Sequence, residues 1–256
     1  MKVYQLILAP AFLLLCWKQP AVHSQDPRPL DMVPEAIDDD YGGCKDKMEA
    51  KITSTYLAKE LKGLFNVAWK QVNECAKKEP EPEDKALTET HMRAICTYTN
   101  IIYSEFNKEV RTGKNIYTTT FRFHTLHYWL TTAIQILSST QGCQTSYRRT
   151  KSKYGAEAGD VIRFGMFASS SKDKDLTSFG SETCFEIETC SGADLKHYPY
   201  RGTDEGEVLI PPYETFKITR VIEKKGEYEP LPDCEKVFIL KSERNYVSNL
   251  RCQAAN

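Results

Sequence analysis

The first half of the chain carries apolar residues at helical spacing. They recur every three or four positions over Lys47–Cys75, and the same spacing returns over Leu87–Val110. A third run, about Phe123–Leu137, places large apolar side chains on one face and stops ahead of Gly142. The spacing predicts three helical regions whose apolar faces form a core. The charged, proline-containing segment 77–84 is predicted to be the loop between the first two regions.

After Cys143 the period shortens to that of β-strands, and Gly, Pro, Asp and Lys turns separate the segments. Strands are predicted at 146–150, 160–170, 182–190, 208–210, 214–222 and 236–240. Helices first and strands afterwards are typical of an α+β domain with largely antiparallel sheets, and they disfavour an alternating βαβ fold. No internal repeat and no long linker interrupts residues 25–256, so we expect one domain.

Composition narrows the classes of function. The chain has 256 residues, of which 41% are hydrophobic, enough for one substantial core. Its 34 Lys and Arg nearly balance its 35 Asp and Glu, which argues against a nucleic-acid binder that works through bulk positive charge. The nucleotide signatures Gly-x-Gly-x-x-Gly and Gly-x-x-x-x-Gly-Lys-Ser/Thr are absent, as is the Gly-x-Ser-x-Gly elbow of hydrolases.

The N-terminus has the pattern of a secretory signal peptide. Lys2 supplies a positive start, Leu6–Cys16 is an apolar run, and the small residues of Ala21–Ser24 fit a cleavage site. The alternative is a transmembrane anchor, which needs about 20 apolar residues, whereas Lys18 closely follows a shorter run here. We therefore assign residues 1–24 to a signal peptide and exclude them from the fold.

The remaining chain agrees with export. Asn249–Asn256 lacks the hydrophobic tail of a lipid-anchor signal, so we expect a secreted, extracellular protein without a stable membrane anchor. Cys16 leaves with the signal peptide, and an oxidising compartment would pair the even set that remains. These residues are Cys44, Cys75, Cys96, Cys143, Cys184, Cys190, Cys234 and Cys252. Sequence alone does not choose among their many possible connectivities.

Candidate catalytic groups lie in three short segments of the strand region. If the backbone of Glu205-Gly-Glu207 is extended, both carboxylates point to one side and raise each other's pKa. Such a pair can stabilise positive charge in glycosyl chemistry, although Glu-x-Glu is also common on solvated turns. Arg148 can grip a diphosphate, and the serines that end Arg163–Ser171 can orient a carboxylate.

Metal binding is not expected. His124 and His127 lie three positions apart in a helical run, without an acidic or thiol companion nearby. Metal sites are typically built from several His, Cys, Asp or Glu ligands at short spacings along the sequence. The spacing therefore favours packing or surface roles for both histidines.

In their order along the chain, the arginine, serine and Glu-x-Glu segments resemble the signature of the vertebrate arginine-specific ecto-ADP-ribosyltransferases. The resemblance extends over nearly all of residues 25–256. Ala36–Cys44 is similar to the family's Asp-Asp-x-Tyr-x-x-Cys, Phe123–Thr131 is similar to its Phe-His-Tyr-Tyr-Leu-Thr helix, and Glu207–Glu214 matches closely. The resemblance implies the family's α+β fold, in which a helical part packs on two mostly antiparallel β-sheets and disulfides brace the domain.

The resemblance also implies a role for each matching residue. Arg148 would hold the NAD pyrophosphate or its flanking ribose, Ser169 takes the second motif position, and Glu207 takes that of the catalytic glutamate. Glu205 stands where arginine-modifying members carry a glutamate, and Tyr98 stands where the family has a tyrosine of its NAD-binding edge. NAD would be the co-substrate, and no metal is implied.

Disulfide pairing rests on two different grounds. The resemblance implies Cys44–Cys252 and Cys143–Cys190. It assigns no partner to the other four cysteines, for which order along the chain alone suggests Cys75–Cys96 and Cys184–Cys234.

Two positions depart from the family's pattern. Arg149 stands where the family usually has glycine after its arginine, and Ala168 stands where it usually has Thr or Ser before the serine. A bulky side chain beside the pyrophosphate site could perturb NAD affinity, or its cation could add a phosphate contact. Neither change removes a group that the reaction needs.

The implied function is that of a mono-ADP-ribosyltransferase, which moves ADP-ribose from NAD(P) to exposed arginines of extracellular proteins and releases nicotinamide. One alternative is an NAD glycohydrolase that uses water, and another is a secreted, inactive binding relative whose nucleotide pocket Arg149 has spoiled. Spacing alone also leaves a glycoside hydrolase open, because same-face glutamates on one strand are about 7 Å apart, within the range for that reaction.

Overall fold

Helices dominate residues 26–141 of the computed structural model, which describes residues 26–202 and 205–256. The α-helices are α1 (Lys45–Lys51), α2 (Leu57–Glu60), α3 (Gly63–Gln71), α4 (Asn73–Ala76), α5 (Glu89–Thr97), α6 (Tyr103–Thr112) and α7 (His124–Gln141). Ile52–Tyr56 and Tyr98–Ile102 are π-helical, and Pro82–Asp84, Lys114–Ile116, Thr177–Phe179 and Gln253–Ala255 are short 3-10 helices. The signal peptide assigned to residues 1–24 lies outside the described residues.

The three predicted helical regions are present, but the first two are interrupted. Leu61 leaves helical geometry with a ψ of 71°, and Gly63 adopts a φ of 52°, which glycine tolerates. In the second region, Asn100 kinks the π-helical segment between α5 and α6. The third region is the single long helix α7, as expected. Within the described residues, no helix has both the length and the hydropathy that crossing a membrane requires.

Helix α7 lies at the centre of the helical part. The apolar core around it includes Phe167 and Leu209 from the strand region, and this contact holds the helices against the sheet. Its two histidines are packing residues. His124 Nδ1 lies 2.8 Å from Glu60 Oε1, and His127 Nδ1 lies 2.7 Å from the Tyr41 hydroxyl.

The strands follow mainly after α7. They are β1 (Arg28–Pro29), β2 (Gln144–Thr150), β3 (Tyr154–Gly155), β4 (Val161–Ile162), β5 (Ala168–Ser171), β6 (Thr183–Thr189), β7 (Ala193–Asp194), β8 (Glu207–Ile210), β9 (Glu214–Ile222) and β10 (Val237–Tyr246). β1 and β3 form a two-stranded parallel sheet, and the others form an eight-stranded sheet in the order β4-β9-β10-β6-β2-β5-β8-β7. In the large sheet β10 runs parallel to β6, and the other described ladders are antiparallel. The α+β fold with mostly antiparallel strands is confirmed.

The segment predicted as one strand at 160–170 is two strands, and this prediction was wrong. β4 pairs with β9, whereas β5 pairs with β2 and β8. Gly165 turns the chain between them with a φ of 64°, and a Cβ there would lie 2.6 Å from Val33. The turn carries Ser169 away from the β4 edge and sets it beside β8. Strand β10 also extends beyond its predicted end at 240.

The large sheet divides at β2. A single pair, Tyr147 with Ser171, joins β2 to β5, so β5, β8 and β7 form a separate half. Ala168 and Ile210 of this half share one apolar core with residues such as Phe185 of the other half. The strand order nevertheless sets β2, β5 and β8, which carry the three motif residues, beside one another.

Four disulfides connect distant parts of the described chain. They are Cys44–Cys252, Cys75–Cys96, Cys143–Cys190 and Cys184–Cys234, the same pairs that we expected from the sequence. Cys75–Cys96 ties α4 to α5 just before Tyr98. The bridges therefore brace the elements that carry the candidate site.

Candidate active site

An open cleft lies between the helices and the strands β2, β5 and β8. Its volume is about 760 Å³, which is within the range of small-molecule and cofactor sites. From the helical side it is lined by Tyr98, Asn107, Lys108 and Arg111, and from the strand side by Arg148, Ser169, Glu205 and Glu207. A smaller cavity of about 70 Å³ adjoins the same carboxylates. All five site residues predicted from the sequence therefore border one cleft.

Ser169 and Glu207 are directly bonded across β5 and β8. The antiparallel register sets Ser169 opposite Leu209, and Glu207 lies two residues before Leu209, at the start of β8. The Ser169 hydroxyl donates to Glu207 Oε1 at 2.7 Å. This diagonal contact is within reach because the glutamate side chain is long. The bond orients the Glu207 carboxylate in the cleft.

Tyr98 links the helices to the same strands. Its hydroxyl donates to the Phe167 carbonyl at 2.8 Å and lies 3.4 Å from Ser169 Oγ. Burial raises the pKa of Tyr98 to about 12, and the Glu207 charge adds to this effect, so the hydroxyl stays protonated at neutral pH. Tyr98 is therefore a hydrogen-bond donor at the floor of the cleft.

Asn107 is a site residue that the sequence reasoning missed. Its amide nitrogen donates to the Tyr98 hydroxyl at 3.0 Å and to the Phe167 carbonyl at 2.9 Å, and its oxygen accepts from the Phe167 amide at 3.1 Å. These bonds fix Tyr98 and the start of β5 together. No motif marks Asn107, since its partner Phe167 is 60 residues away; the helical spacing that places polar residues on one face of α6 is the weak signal available.

Arg148 lies beside this cluster on β2. Its guanidinium donates through Nη1 to the Ser169 carbonyl. Burial lowers the pKa of Arg148, against the opposing effects of Tyr98, Tyr154 and Glu207, but an arginine stays charged at neutral pH. With Lys108 and Arg111, which line the same cleft, Arg148 makes this part of the cleft cationic.

Glu205 lies on a turn, so the sequence argument from an extended backbone does not apply. Strand β8 begins at Glu207, and Gly206 adopts a φ of 52°, a left-handed conformation that glycine allows. The turn is bonded to the segment after β5, because the Ser171 hydroxyl donates to the Glu205 carbonyl and the Lys172 amide donates to the Gly206 carbonyl at 3.0 Å. Glu205 is exposed at the rim, yet it lines the cleft together with Glu207.

The electrostatic environment of Glu207 is unusual for a carboxyl group. Burial raises the pKa of Glu207 to about 7. The Ser169 bond opposes this rise, the neighbouring Glu205 charge adds to it, and Arg148 opposes it. Carboxyl groups with strongly raised pKa values in a cleft are typical of functional sites.

Arg149 does not add a free cation to the cleft. Successive strand residues point to opposite sides, and the Arg149 guanidinium lies away from Arg148, on Asp233. Nη1 and Nη2 donate to the two Asp233 oxygens at 2.8 and 2.9 Å, and Nε donates to the Lys174 carbonyl at 2.7 Å.

Ala168, the second position that departs from the family's pattern, is fully buried in the core between the sheet halves. A methyl group packs there without leaving an unpaired hydroxyl.

A cluster of carboxylates lies outside the cleft, at Glu81, Glu83 and Asp84. Lys196 Nζ lies 2.7, 2.9 and 2.7 Å from their oxygens. The Lys196 ammonium therefore already lies within bonding distance of all three carboxylates, and the arrangement is that of an ion-pair network joining two loops.

Comparisons with known proteins agree on one family. The family model described as NAD:arginine ADP-ribosyltransferase matches residues 30–230. T-cell ecto-ADP-ribosyltransferase 1 of Mus musculus is 36% identical over 200 residues, which are 73% of this chain and 67% of that protein. Erythroblast NAD(P)(+)--arginine ADP-ribosyltransferase of Gallus gallus is 33% identical over 204 residues, 74% of this chain and 67% of that protein.

Solved structures agree with the sequence comparisons. The crystal structure of the eukaryotic mono-ADP-ribosyltransferase ART2.2 superposes with a TM-score of 0.75 at 32% identity, and the match covers 88% of this chain and 99% of that one. A variant of ART2.2 in complex with NAD matches over the same shares with a TM-score of 0.72. The similarity spans both the helical part and the strands.

Proposed function

The chain belongs to the NAD:arginine ADP-ribosyltransferase family, and on this premise we propose that Arg148, Ser169 and Glu207 carry its reaction. The protein is a mono-ADP-ribosyltransferase, which moves ADP-ribose from NAD(P) to arginine side chains and releases nicotinamide. The observation that best supports the residue assignment is the bond between Ser169 and Glu207, in the cleft that Arg148 also lines.

We assign the NAD pyrophosphate to the cationic part of the cleft. Arg148, Lys108 and Arg111 line it, and guanidinium groups bind diphosphates through paired, charge-assisted hydrogen bonds. Tyr98 is assigned to the NAD-binding edge, where its protonated hydroxyl holds β5 in place. The assignment uses NAD as a co-substrate and gives no step to a metal ion.

Glu207 is assigned to transition-state stabilisation. As the bond between ribose C1′ and nicotinamide breaks, nicotinamide leaves with the bonding electrons and the ribose gains oxocarbenium character. A carboxylate beside the ribose stabilises that positive charge more in the transition state than in the ground state. The Ser169 bond supports this role, because it orients the carboxylate before the charge develops. A hydrogen bond from the ribose 2′-hydroxyl to Glu207 fits the same role.

Glu205 is assigned to the acceptor. A guanidinium is protonated at neutral pH and is therefore a poor nucleophile. A carboxylate can align it through paired hydrogen bonds and take its proton as the new bond to C1′ forms. The exposed position of Glu205 at the cleft rim supports this role, since a protein acceptor arrives from solvent.

We further propose that residues 25–256 form one catalytic domain that modifies exposed arginines of extracellular proteins. Relatives named as ecto-enzymes support an extracellular site of action. Disulfides persist mainly in oxidising compartments, so the four bridges support it as well. The Cys44–Cys252 bridge supports one domain because it joins the beginning and the end of the described chain.

The experiment incubates the purified chain with labelled NAD and agmatine, and measures ADP-ribosyl-agmatine, free ADP-ribose and nicotinamide. We expect the wild type to form ADP-ribosyl-agmatine. Glu207→Gln should abolish both transfer and NAD cleavage, whereas Glu205→Gln should suppress transfer and keep some hydrolysis. Glu74→Gln is the matched control, because that side chain is 88% exposed on α4 and lines neither cavity.

Each rival function has its own outcome. A wild type that forms only free ADP-ribose would be an NAD glycohydrolase. A wild type that shows no NAD binding by isothermal titration would be an inactive binding relative. If Glu205→Gln modifies agmatine as fast as the wild type, the acceptor role of Glu205 is wrong.

A further inference from the structure

Arg149 lines the cleft together with Arg148, but it is buried and its guanidinium is bonded to other parts of the chain. Its side chain is 3% exposed, and all three of its nitrogens donate to other parts of the chain. A guanidinium withdrawn from water is tolerated only where its donors are satisfied. Here it joins β2 to the Lys174 carbonyl, in the loop after β5, and to Asp233, in the loop between β9 and β10.

The Asp233 end of this connection is held firmly. Cys234 is the next residue, and its disulfide with Cys184 ties the loop to β6. Cys184 is in turn the ladder partner of Arg149 between β6 and β2. Arg149 Nη1 lies 3.5 Å from Cys234 Sγ. The guanidinium therefore binds a loop that a disulfide holds to β6.

The Lys174 end leads directly to the turn that carries Glu205. Lys174 closes the segment 171–174, which leaves β5 at Ser171. The Ser171 hydroxyl donates to the Glu205 carbonyl, and the Asp173 amide donates back to Ser171 Oγ at 2.8 Å. The Lys172 amide bonds to the Gly206 carbonyl of the same turn, as described above. Segment 171–174 is thus bonded to Arg149 at one end and to the Glu205 turn at the other.

The turn depends on such support. Glu205 is exposed and lies outside β8, and Gly206 has the backbone freedom of glycine, so neither ladder bonds nor local stiffness fix the Glu205 carboxylate. A misplacement of about 1 Å at a reacting group can slow a reaction by about two orders of magnitude. The position of segment 171–174 therefore bears directly on the geometry at Glu205.

We propose that Arg149 is a positioning residue for transfer to arginine. By holding the Lys174 carbonyl, it keeps segment 171–174, and through it the Glu205 turn, in the geometry that favours an arginine acceptor over water. The inference rests on the proposed acceptor role of Glu205. Loss of the Arg149 bonds should therefore change the fraction of ADP-ribose that is transferred to arginine and not to water. The rate of NAD cleavage, which we assign to Glu207, should change less.

The test measures the ratio of ADP-ribosyl-agmatine to free ADP-ribose, together with the KM for NAD. Arg149→Met keeps an unbranched apolar stem and removes the guanidinium donors, and Asp233, which is 40% exposed, can then be hydrated. We expect the ratio to fall roughly tenfold, with a smaller change in the KM for NAD. The ratio is taken within each sample, so it does not depend on how much of the variant is folded.

Further variants separate positioning from general loss of structure. Arg149→Lys keeps a cation but replaces three donor nitrogens by one, and we expect an intermediate ratio. Ser171→Ala cuts the same connection nearer the turn, so it should lower the ratio, and its combination with Arg149→Met should be less than additive. Arg251→Met is the control for the loss of an arginine–aspartate pair, because it removes two bonds from the half-exposed Arg251 to Asp40, at 2.8 and 2.6 Å, away from the cleft. Its ratio should equal that of the wild type.

Two results would overturn the inference. One is a ratio for Arg149→Met within about twofold of the wild type, far less than misplacement of a reacting group predicts. The other is an equal fall in Arg251→Met, which would show that losing an arginine–aspartate pair far from the cleft lowers the ratio as much, so that the position of Arg149 has no special effect. A wild type that forms no ADP-ribosyl-agmatine would instead overturn the proposed function, and the inference with it.

Discussion

The ionisation of Glu207 should set the pH dependence of the reaction. Burial raises the pKa of Glu207 from 4.5 to about 7, with the Ser169 bond, the Glu205 charge and the Arg148 charge as smaller influences. A change of this size makes the ionised form ~3 kcal/mol less favourable than in an ordinary carboxyl group. In the role that we propose for Glu207, only the ionised carboxylate stabilises the oxocarbenium charge, so kcat/KM for NAD should fall as the pH drops below about 7.

The magnitude follows from this pKa. Roughly one-tenth of Glu207 is ionised at one pH unit below its pKa and roughly one-hundredth at two, so kcat/KM should fall about tenfold for each unit. A carboxyl group with the ordinary value of 4.5 would remain almost fully ionised over most of this range. The assay measures nicotinamide release at low NAD, from about pH 5 to pH 9 at constant ionic strength. Agmatine keeps its protonated guanidinium throughout.

The profile can refute the reasoning in two ways. If kcat/KM is flat from neutral pH down to about pH 5.5, burial does not govern Glu207 as the structure indicates. Glu205→Gln removes the neighbouring like charge, so the pKa of Glu207 should decrease and the acidic limb of the residual hydrolysis should move to lower pH. An unmoved limb would mean that Glu205 does not act on Glu207.

Three further outcomes concern stability. The folded-state pKa of Glu207 exceeds its unfolded value, so its contribution to stability is present below pH 4.5 and is lost as the pH rises through about 7. In urea titrations, the unfolding free energy of Glu207→Gln should therefore rise relative to that of the wild type by up to ~3 kcal/mol over this range. An equal pH dependence of the two proteins would contradict the burial of Glu207. Arg163→Met leaves the fully buried Asp38 without its ion-pair partner and should lower the unfolding free energy by about 3–5 kcal/mol, whereas no measurable loss would disprove the pair. Replacing Cys184 and Cys234 together by Ser opens a bridge that spans 50 residues and should lower the unfolding free energy by up to ~4 kcal/mol. It should also lower the ratio of ADP-ribosyl-agmatine to free ADP-ribose, because the disulfide no longer holds the loop that carries Asp233, to which Arg149 is bonded. An unchanged ratio would show that the disulfide does not help to position Arg149.

The tested sequence predictions hold best where the pattern is long or the motif is contiguous. The apolar spacing of Phe123–Leu137 predicted α7, and the resemblance read from several contiguous motifs predicted the family to which the chain belongs. The strand prediction over 160–170 failed because β-type residues continue through Gly165, and only the contact with Val33 shows that the chain must turn there. Asn107 escaped notice for a related reason, since its partner Phe167, just before β5, lies 60 residues away in the chain.

In the site as well, the surroundings of Glu205 and Arg149 could not be predicted from local sequence patterns. Two glutamates separated by one residue suggested a common strand face, but Gly206 is left-handed and Glu205 sits on a turn held by Ser171. For Arg149 the sequence left open whether its cation reaches a phosphate. The structure commits the guanidinium to Asp233 and Lys174, which no local pattern could have indicated.

By itself, the sequence determined the class of fold, the even cysteine set that is paired in the structure, and the residue types available for chemistry on NAD. Each of these follows from local periodicity, from composition or from contiguous sequence motifs that resemble those of one family. Only the tertiary structure decided which groups meet: that Ser169 bonds Glu207, that Asn107 supports Tyr98, and that the Arg149 guanidinium binds Asp233. The physical reason is that these contacts depend on strand pairing and chain reversal between distant segments, whereas sequence periodicity reports only which side of an element a residue occupies.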